Sequence, residues 1–136
     1  MTADDPAGDT EVPIFDGATV HRHRLRWWRG SDYHIEVDGP RHRRTASGPD
    51  LFEALLSLRR DLEADGLLIG VEGARCDAYP SGMVRDMAGG ERVYRLRKGR
   101  SADPADMMDT LAVIEDRDLI ATVDEQLRHY RDWLSS

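Results

Sequence analysis

The sequence predicts an α+β fold: a mainly antiparallel sheet in the order β-β-β-α-β-β-(β)-α, with two amphipathic helices on one face. Three observations carry this. Residues 19–37 alternate in two runs split by turn chemistry, Leu51, Leu55, Leu58 and Leu62 recur at helical spacing, and a second helical stripe closes the chain.

Element by element, Met1–Asp16 is rich in Asp, Thr, Pro and Gly and reads as a disordered acidic tail, leaving 17–136 as one domain. Thr19, His21, His23, Leu25 and Trp27 then fall on one face of a strand, and Val20, Arg22, Arg24, Arg26 and Trp28 on the other. After the turn Gly30-Ser31-Asp32, Tyr33, Ile35 and Val37 mark a second strand; Arg41–Ala46 forms a third, charged edge strand. Ser47-Gly48-Pro49-Asp50 is a helix start, the leucine stripe follows, and Asp65-Gly66 is a stop.

Leu67–Val71 reads as a buried central strand that either continues through Tyr79 or bends at Gly73. Met83–Met87 fits one helical turn, and Arg92–Arg97 alternates as a strand. Asp106–Ile114 fits a short helix or a strand, the strand Thr110–Ile114 being preferred. The last helix is expected from an Asp116 cap, with Leu119, Ile120, Val123, Leu127, Tyr130 and Leu134 on one face.

The single cysteine, Cys76, excludes an internal disulfide framework. No apolar run approaches the length of a membrane span and the first residues lack a signal-peptide pattern, so a cytoplasmic protein with no membrane contact is expected. The formal charge of −7 is unevenly spread: 1–20 sums to −5, 21–48 to +4, 49–72 to −4, 73–100 to +4 and 101–136 to −6. Every base but Lys98 is arginine. Such segregation predicts a charge-polarised surface.

Arg22, Arg24, Arg26 and Trp28 present a row of planar cations with a stacking surface, beside His34 and Glu36. Nucleic-acid-binding sheets combine charge and aromatics this way, and so do anchors of protein interfaces. The plainer reading is a solvated face whose arginines pair with Glu36 and Asp38, and net acidity weighs against broad phosphate affinity. A second candidate is the Gly73–Gly90 loop, where Arg75, Tyr79, Ser81 and Arg85 sit among small residues and can converge on an anion. Its plainer reading is a turn whose residues serve backbone and packing needs.

Cys76 lies between Arg75 and Asp77, which push its pKa in opposite directions. Ser81 lacks the Gly-x-Ser-x-Gly elbow of a hydrolase. His21 and His23 share a strand face without further metal-ligand spacing, and no phosphate-binding or dinucleotide fingerprint occurs. Neither a cofactor nor a metal is expected.

The run Tyr79-Pro80-Ser81-Gly82-Met83-Val84-Arg85-Asp86-Met87-Ala88-Gly89-Gly90, with Arg26-Trp27-Trp28-Arg29-Gly30 and the Leu51–Leu62 stripe, resembles a pattern shared by a group of small bacterial proteins. The resemblance spans most of the chain after residue 16 and implies no particular activity. Together these features point to a non-enzymatic protein-binding domain, of the bacterial immunity or adaptor type, monomeric or homodimeric, acting by charge-complementary occlusion of a protein partner. The alternatives are RNA or single-stranded nucleic acid on the Arg/Trp face, and a small ligand-binding or enzymatic domain using the Gly73–Gly90 loop.

Overall fold

Alternation along the first third of the chain builds the main sheet. The computed structural model describes residues 5–136. Strands β1 (Gly8–Asp16), β2 (Thr19–Trp28), β3 (Tyr33–Val37) and β4 (Arg44–Gly48) form an antiparallel meander, and β5 (Leu67–Ile69) adds on the far side of β1, giving the order β4-β3-β2-β1-β5. One face buries Val12, Ile14, Leu25, Ile35 and Val37.

Helix α1 (Leu51–Ala64) covers that face. The Asp50 carboxylate accepts the Glu53 N–H at 2.8 Å and caps it. Leu51, Leu55, Leu58 and Leu62 point into the sheet core, as their spacing predicts, each contributing about 2 kcal/mol of burial. Phe52 and Leu56 lie on another face of α1 and pack on a second antiparallel sheet, β6 (Ala78–Tyr79), β7 (Arg92–Arg95) and β8 (Met107–Asp109), in the order β6-β7-β8. Helix α2 (Gly82–Ala88) connects β6 to β7, and α3 (Val123–Leu134) packs against α1 and β6. The class is α+β, antiparallel sheet with helices packed against it.

The expectation of a disordered tail through Asp16 is corrected: Gly8–Asp16 is a strand, and Val12, Ile14 and Phe15 are buried. Residues 1–4 of that segment lie outside the described residues. The acids and Pro13 hid this strand from composition. Pro13 fits because its carbonyl accepts from Gly70 N–H at 2.9 Å, while the Gly70 carbonyl, denied a proline N–H, accepts from Ile114 instead.

The third strand, expected at Arg41–Ala46, is Arg44–Gly48, the strand expected at Arg92–Arg97 stops at Arg95, and further boundaries differ. After β5 the chain makes a 3-10 turn at Glu72–Ala74, since the Gly73 N–H donates to the Thr110 carbonyl and not to a neighbouring strand. The preferred strand at Thr110–Ile114 is displaced to Met107–Asp109, Val113 making only an isolated bridge to Val71. Asp116 caps a 3-10 turn, Arg117–Leu119, and α3 begins at Val123, capped by Thr122, whose hydroxyl and Glu125 form a reciprocal capping box.

Candidate functional site

Arg22, Arg24 and Arg26 do stand side by side on the outer face of β2, but each holds a carboxylate. Arg22 pairs with Glu115, Arg24 with Asp9, and Arg26 with Asp38 at 2.9 Å and Glu36 at 3.8 Å. Asp9 comes from β1, Glu36 and Asp38 from β3 and the loop after it, and Glu115 from the segment before the Arg117–Leu119 turn, so the fold itself neutralises the row. Trp28 sits against His34, ring centroids 5.5 Å apart.

The Gly73–Gly90 residues are likewise built into the fold. Arg75 bonds Asp77 at 2.5 Å; Arg85 bonds Asp50 at 3.1 Å and Glu53 at 3.2 Å. The two guanidinium groups serve different carboxylates. Tyr79 stacks on Tyr130 with centroids 4.0 Å apart and meets the Phe52 edge at 5.0 Å. Ser81 caps α2, its hydroxyl accepting the Val84 N–H.

Asp50 joins the two helices: one carboxylate oxygen caps α1 and the other holds Arg85 of α2. Gly89 ends α2 at φ 62°, where its carbonyl accepts the Leu51 N–H at 2.8 Å and a Cβ would lie 2.0 Å from the Tyr33 hydroxyl. Thus anchored, α2 turns Val84 inward and leaves Met83 and Met87 outward, 70% and 81% exposed. Residues four apart share a helix face, so the two methionines are neighbours.

Sequence reasoning missed a second feature. Between the first half of β1 and residues 109–113 lies a cleft of about 470 Å³, lined by Gly8, Trp27, Arg29, Leu51, Glu91 and Leu111 among others. Arg29 donates twice to Glu91, both bonds 2.6 Å, and its guanidinium lies 4.8 Å from the Trp27 ring centroid. Tyr33 donates to the same carboxylate at 2.6 Å and stacks on Trp27. The Arg29 bonds hold the Glu91 carboxyl below the usual carboxylate range, against its partial desolvation. Burial, with the bond to Glu91, pushes the Tyr33 hydroxyl up to about 12. Gly8 permits the Trp27 ring to cross it: a Cβ there would stand 2.0 Å from Trp27 Nε1. The sequence signal for this wall was Trp27 and Arg29 at i, i+2; nothing local marks Glu91, 62 positions away.

Among the described residues no cluster of three or more His, Cys, Asp or Glu side chains could hold a metal ion, and no helix is long and apolar enough to cross a membrane. Burial and the neighbouring Asp77 and Glu125 raise the Cys76 thiol pKa, the reverse of nucleophile activation. Compared with known proteins, the chain matches no family model and no curated protein. The geometry defines an α+β domain whose candidate arginines and Ser81 are internally engaged, with an outward methionine pair and an open cleft between its two sheets.

Proposed function

We propose that this chain is a non-enzymatic protein-binding domain, of the immunity or adaptor type, that works by covering a complementary patch on a protein partner. The observation that supports it is the outward pair Met83 and Met87 on an α2 whose Ser81 and Arg85 are committed to anchoring it. Methionine is unbranched and polarizable, so two side by side adapt to an apolar recess on a partner. The net charge of −7 favours a basic partner and speeds its encounter.

The nucleic-acid alternative draws less support, because the carboxylates of Glu115, Asp9, Asp38 and Glu36 already occupy its arginines. The ligand-site alternative meets the same difficulty at Arg75 and Arg85.

The test is a photo-crosslinking residue placed at position 87, and separately at exposed position 128, in the full chain incubated with lysate of the source cells. One protein captured from 87 and not from 128, and lost in the Met83→Asp variant, is the expected result. Capture that ignores both changes, or no capture at either position, would overturn the reading.

A further inference from the structure

The main sheet leaves half of a strand uncovered. β1 pairs with β2 along its whole length, whereas β5 meets only Ile14, Phe15 and Asp16, with one further bond from Gly70 N–H to the Pro13 carbonyl. That bond fixes the direction of alternate residues. The N–H and C=O of Asp9 and Glu11 point to the same side as those of Pro13, away from β2. No backbone group of the described residues bonds them there. The 470 Å³ cleft runs beside Gly8, Asp9 and Thr10, just before Glu11, and residues of the segment 109–113 line its other side.

We propose that this open edge is a strand-addition site, which takes an extended segment of a protein partner between β1 and residues 109–113. The inference rests on the protein-binding reading and assigns it a second surface, separate from α2.

The backbone supplies the first argument. N–H and C=O groups repeating at every second residue match another strand, and main-chain pairing of this kind is an established mode of peptide capture. The side chains then set the chemistry of the occupant. Residues across a ladder share a face, so the residue opposite Glu11 emerges on the outer face of the sheet. The Glu11 carboxylate is exposed; Arg22 is near enough to feel its charge but bonds Glu115, and Arg24 bonds Asp9, so among the described residues no arginine bonds Glu11. A lysine or arginine there completes the pair. Its two neighbours point the other way, into the cleft beside Trp27, Leu51 and Leu111, where apolar side chains fit. The occupant is therefore an extended segment reading apolar–basic–apolar.

A second copy of this chain fits poorly. Edge-to-edge pairing would bring the Asp9 and Glu11 side chains of both copies together, and like charges across a ladder repel. The Glu11 carboxylate, which Arg24 does not hold as it holds Asp9, both disfavours self-association at this edge and selects a basic strand.

The probe is a short fluorescein-labelled peptide alternating valine and lysine, titrated against the full chain by anisotropy, with a valine–glutamate peptide as control. We expect the lysine peptide to bind at least about tenfold tighter than the control and to slow hydrogen exchange at the Asp9 and Glu11 amides. Glu11→Pro deletes an outward N–H without touching the β1–β2 ladder and weakens binding about tenfold. Glu11→Lys, an exposed change, inverts the preference between the two peptides.

Absence of binding, binding without amide protection, or an uninverted preference in Glu11→Lys overturns the proposal. So does a dimer, seen by light scattering, that Glu11→Pro dissolves. Met83→Asp/Met87→Asp must leave peptide binding unchanged. If the peptide fails while position 87 still captures a partner, the edge proposal falls alone; if the peptide binds and position 87 captures nothing, the α2 reading falls alone.

Discussion

The Arg59 guanidinium donates to Gln126 Oε1 at 2.6 Å in the interior, where both side chains are almost wholly buried. The pair closes a network. Arg59 also donates to the carbonyls of Ala121 and Gly73, and Gln126 Nε2 donates to those of Gly73, Arg75 and Ala78 at 2.8, 3.0 and 2.9 Å. One residue from α1 and one from α3 thus satisfy the carbonyls of the chain running from β5 to β6. Desolvation lowers the Arg59 pKa to about 10, so the group stays charged at neutral pH, and these acceptors satisfy its buried N–H groups.

Gln126→Leu removes the acceptor from a buried cation and leaves carbonyls without donors. It should cost about 3 kcal/mol of folding stability. Arg59→Met should cost a similar amount, and the double variant less than the two together, because they share one network. Urea denaturation of the three variants measures this. A loss under about 1 kcal/mol for Gln126→Leu would mean that water takes over the network.

The Arg29–Glu91–Tyr33 cluster gives stability a dependence on pH at both ends. The Glu91 carboxyl titrates lower folded than unfolded, so its contribution is complete above about pH 4.3 and fades as pH falls through the lower folded value. The Tyr33 hydroxyl titrates higher folded, at about 12, so its contribution holds below about pH 10 and fades as pH rises toward 12. Glu91→Gln should flatten the acid limb and lower the tyrosine titration seen by ultraviolet absorbance. Burial, the larger cause of the Tyr33 shift, keeps part of it in the variant. Superimposable acid limbs in wild type and variant would refute this assignment.

What could be read from the sequence was what repeats locally. The leucines of α1 lie 3 or 4 apart and the run Ser47-Gly48-Pro49-Asp50 stands immediately before them, so stripe and helix start were visible together, while the structure makes Asp50 the capping residue. Tyr33, Ile35 and Val37 alternate cleanly, and so does β2. β1 was hidden because its polar half, Gly8–Glu11, and Pro13 outweigh Val12, Ile14 and Phe15 in any compositional reading. The short strands of the second sheet were hard for another reason: two to four residues carry too little periodicity, and tertiary contacts such as Thr110 N–H to the Glu91 carbonyl fix them. The candidate residues were legible as residues and not as roles. Arg22, Arg24 and Arg85 each find their carboxylate only through the fold, whereas Arg75 pairs with Asp77 two residues on.

The anchoring of α2 separates a structural serine from a binding one. Ser81→Ala removes the hydroxyl that accepts the Val84 N–H and should cost the helix about 1 kcal/mol. With seven residues, α2 opens locally before the domain unfolds. The loss should therefore appear as faster amide exchange across Gly82–Ala88 with little change in the global transition. A fall in the global transition with unchanged exchange in α2 would contradict it.

Gly89→Ala should be costlier. It meets both a left-handed backbone and the Tyr33 hydroxyl, 2.0 Å from the added Cβ. We expect a loss of about 2–3 kcal/mol, together with a lowered Tyr33 pKa as the ring is pushed from Glu91. Those two changes measured in one variant link the end of α2 to the cleft wall. Tyr33 titrating unchanged in a destabilised Gly89→Ala would show that the ring yields without breaking its bond.

Cys76 supplies a test of the non-enzymatic reading that needs no partner. Its backbone N–H donates to the Leu119 carbonyl, while burial and then the negative charges of Asp77 and Glu125 disfavour the thiolate. Arg75, its other neighbour, is turned to Asp77 and Glu72 and gives the sulfur little help. Since the thiolate is the reactive form, Cys76 should react with a disulfide reagent more slowly than free cysteine at pH 7.5. Its rate should still be rising with pH where that of free cysteine has levelled. Asp77→Asn should speed the reaction by removing one of the charges that oppose ionisation. A wild-type rate above that of free cysteine would place an activated nucleophile at this position and would end the case for a purely binding role.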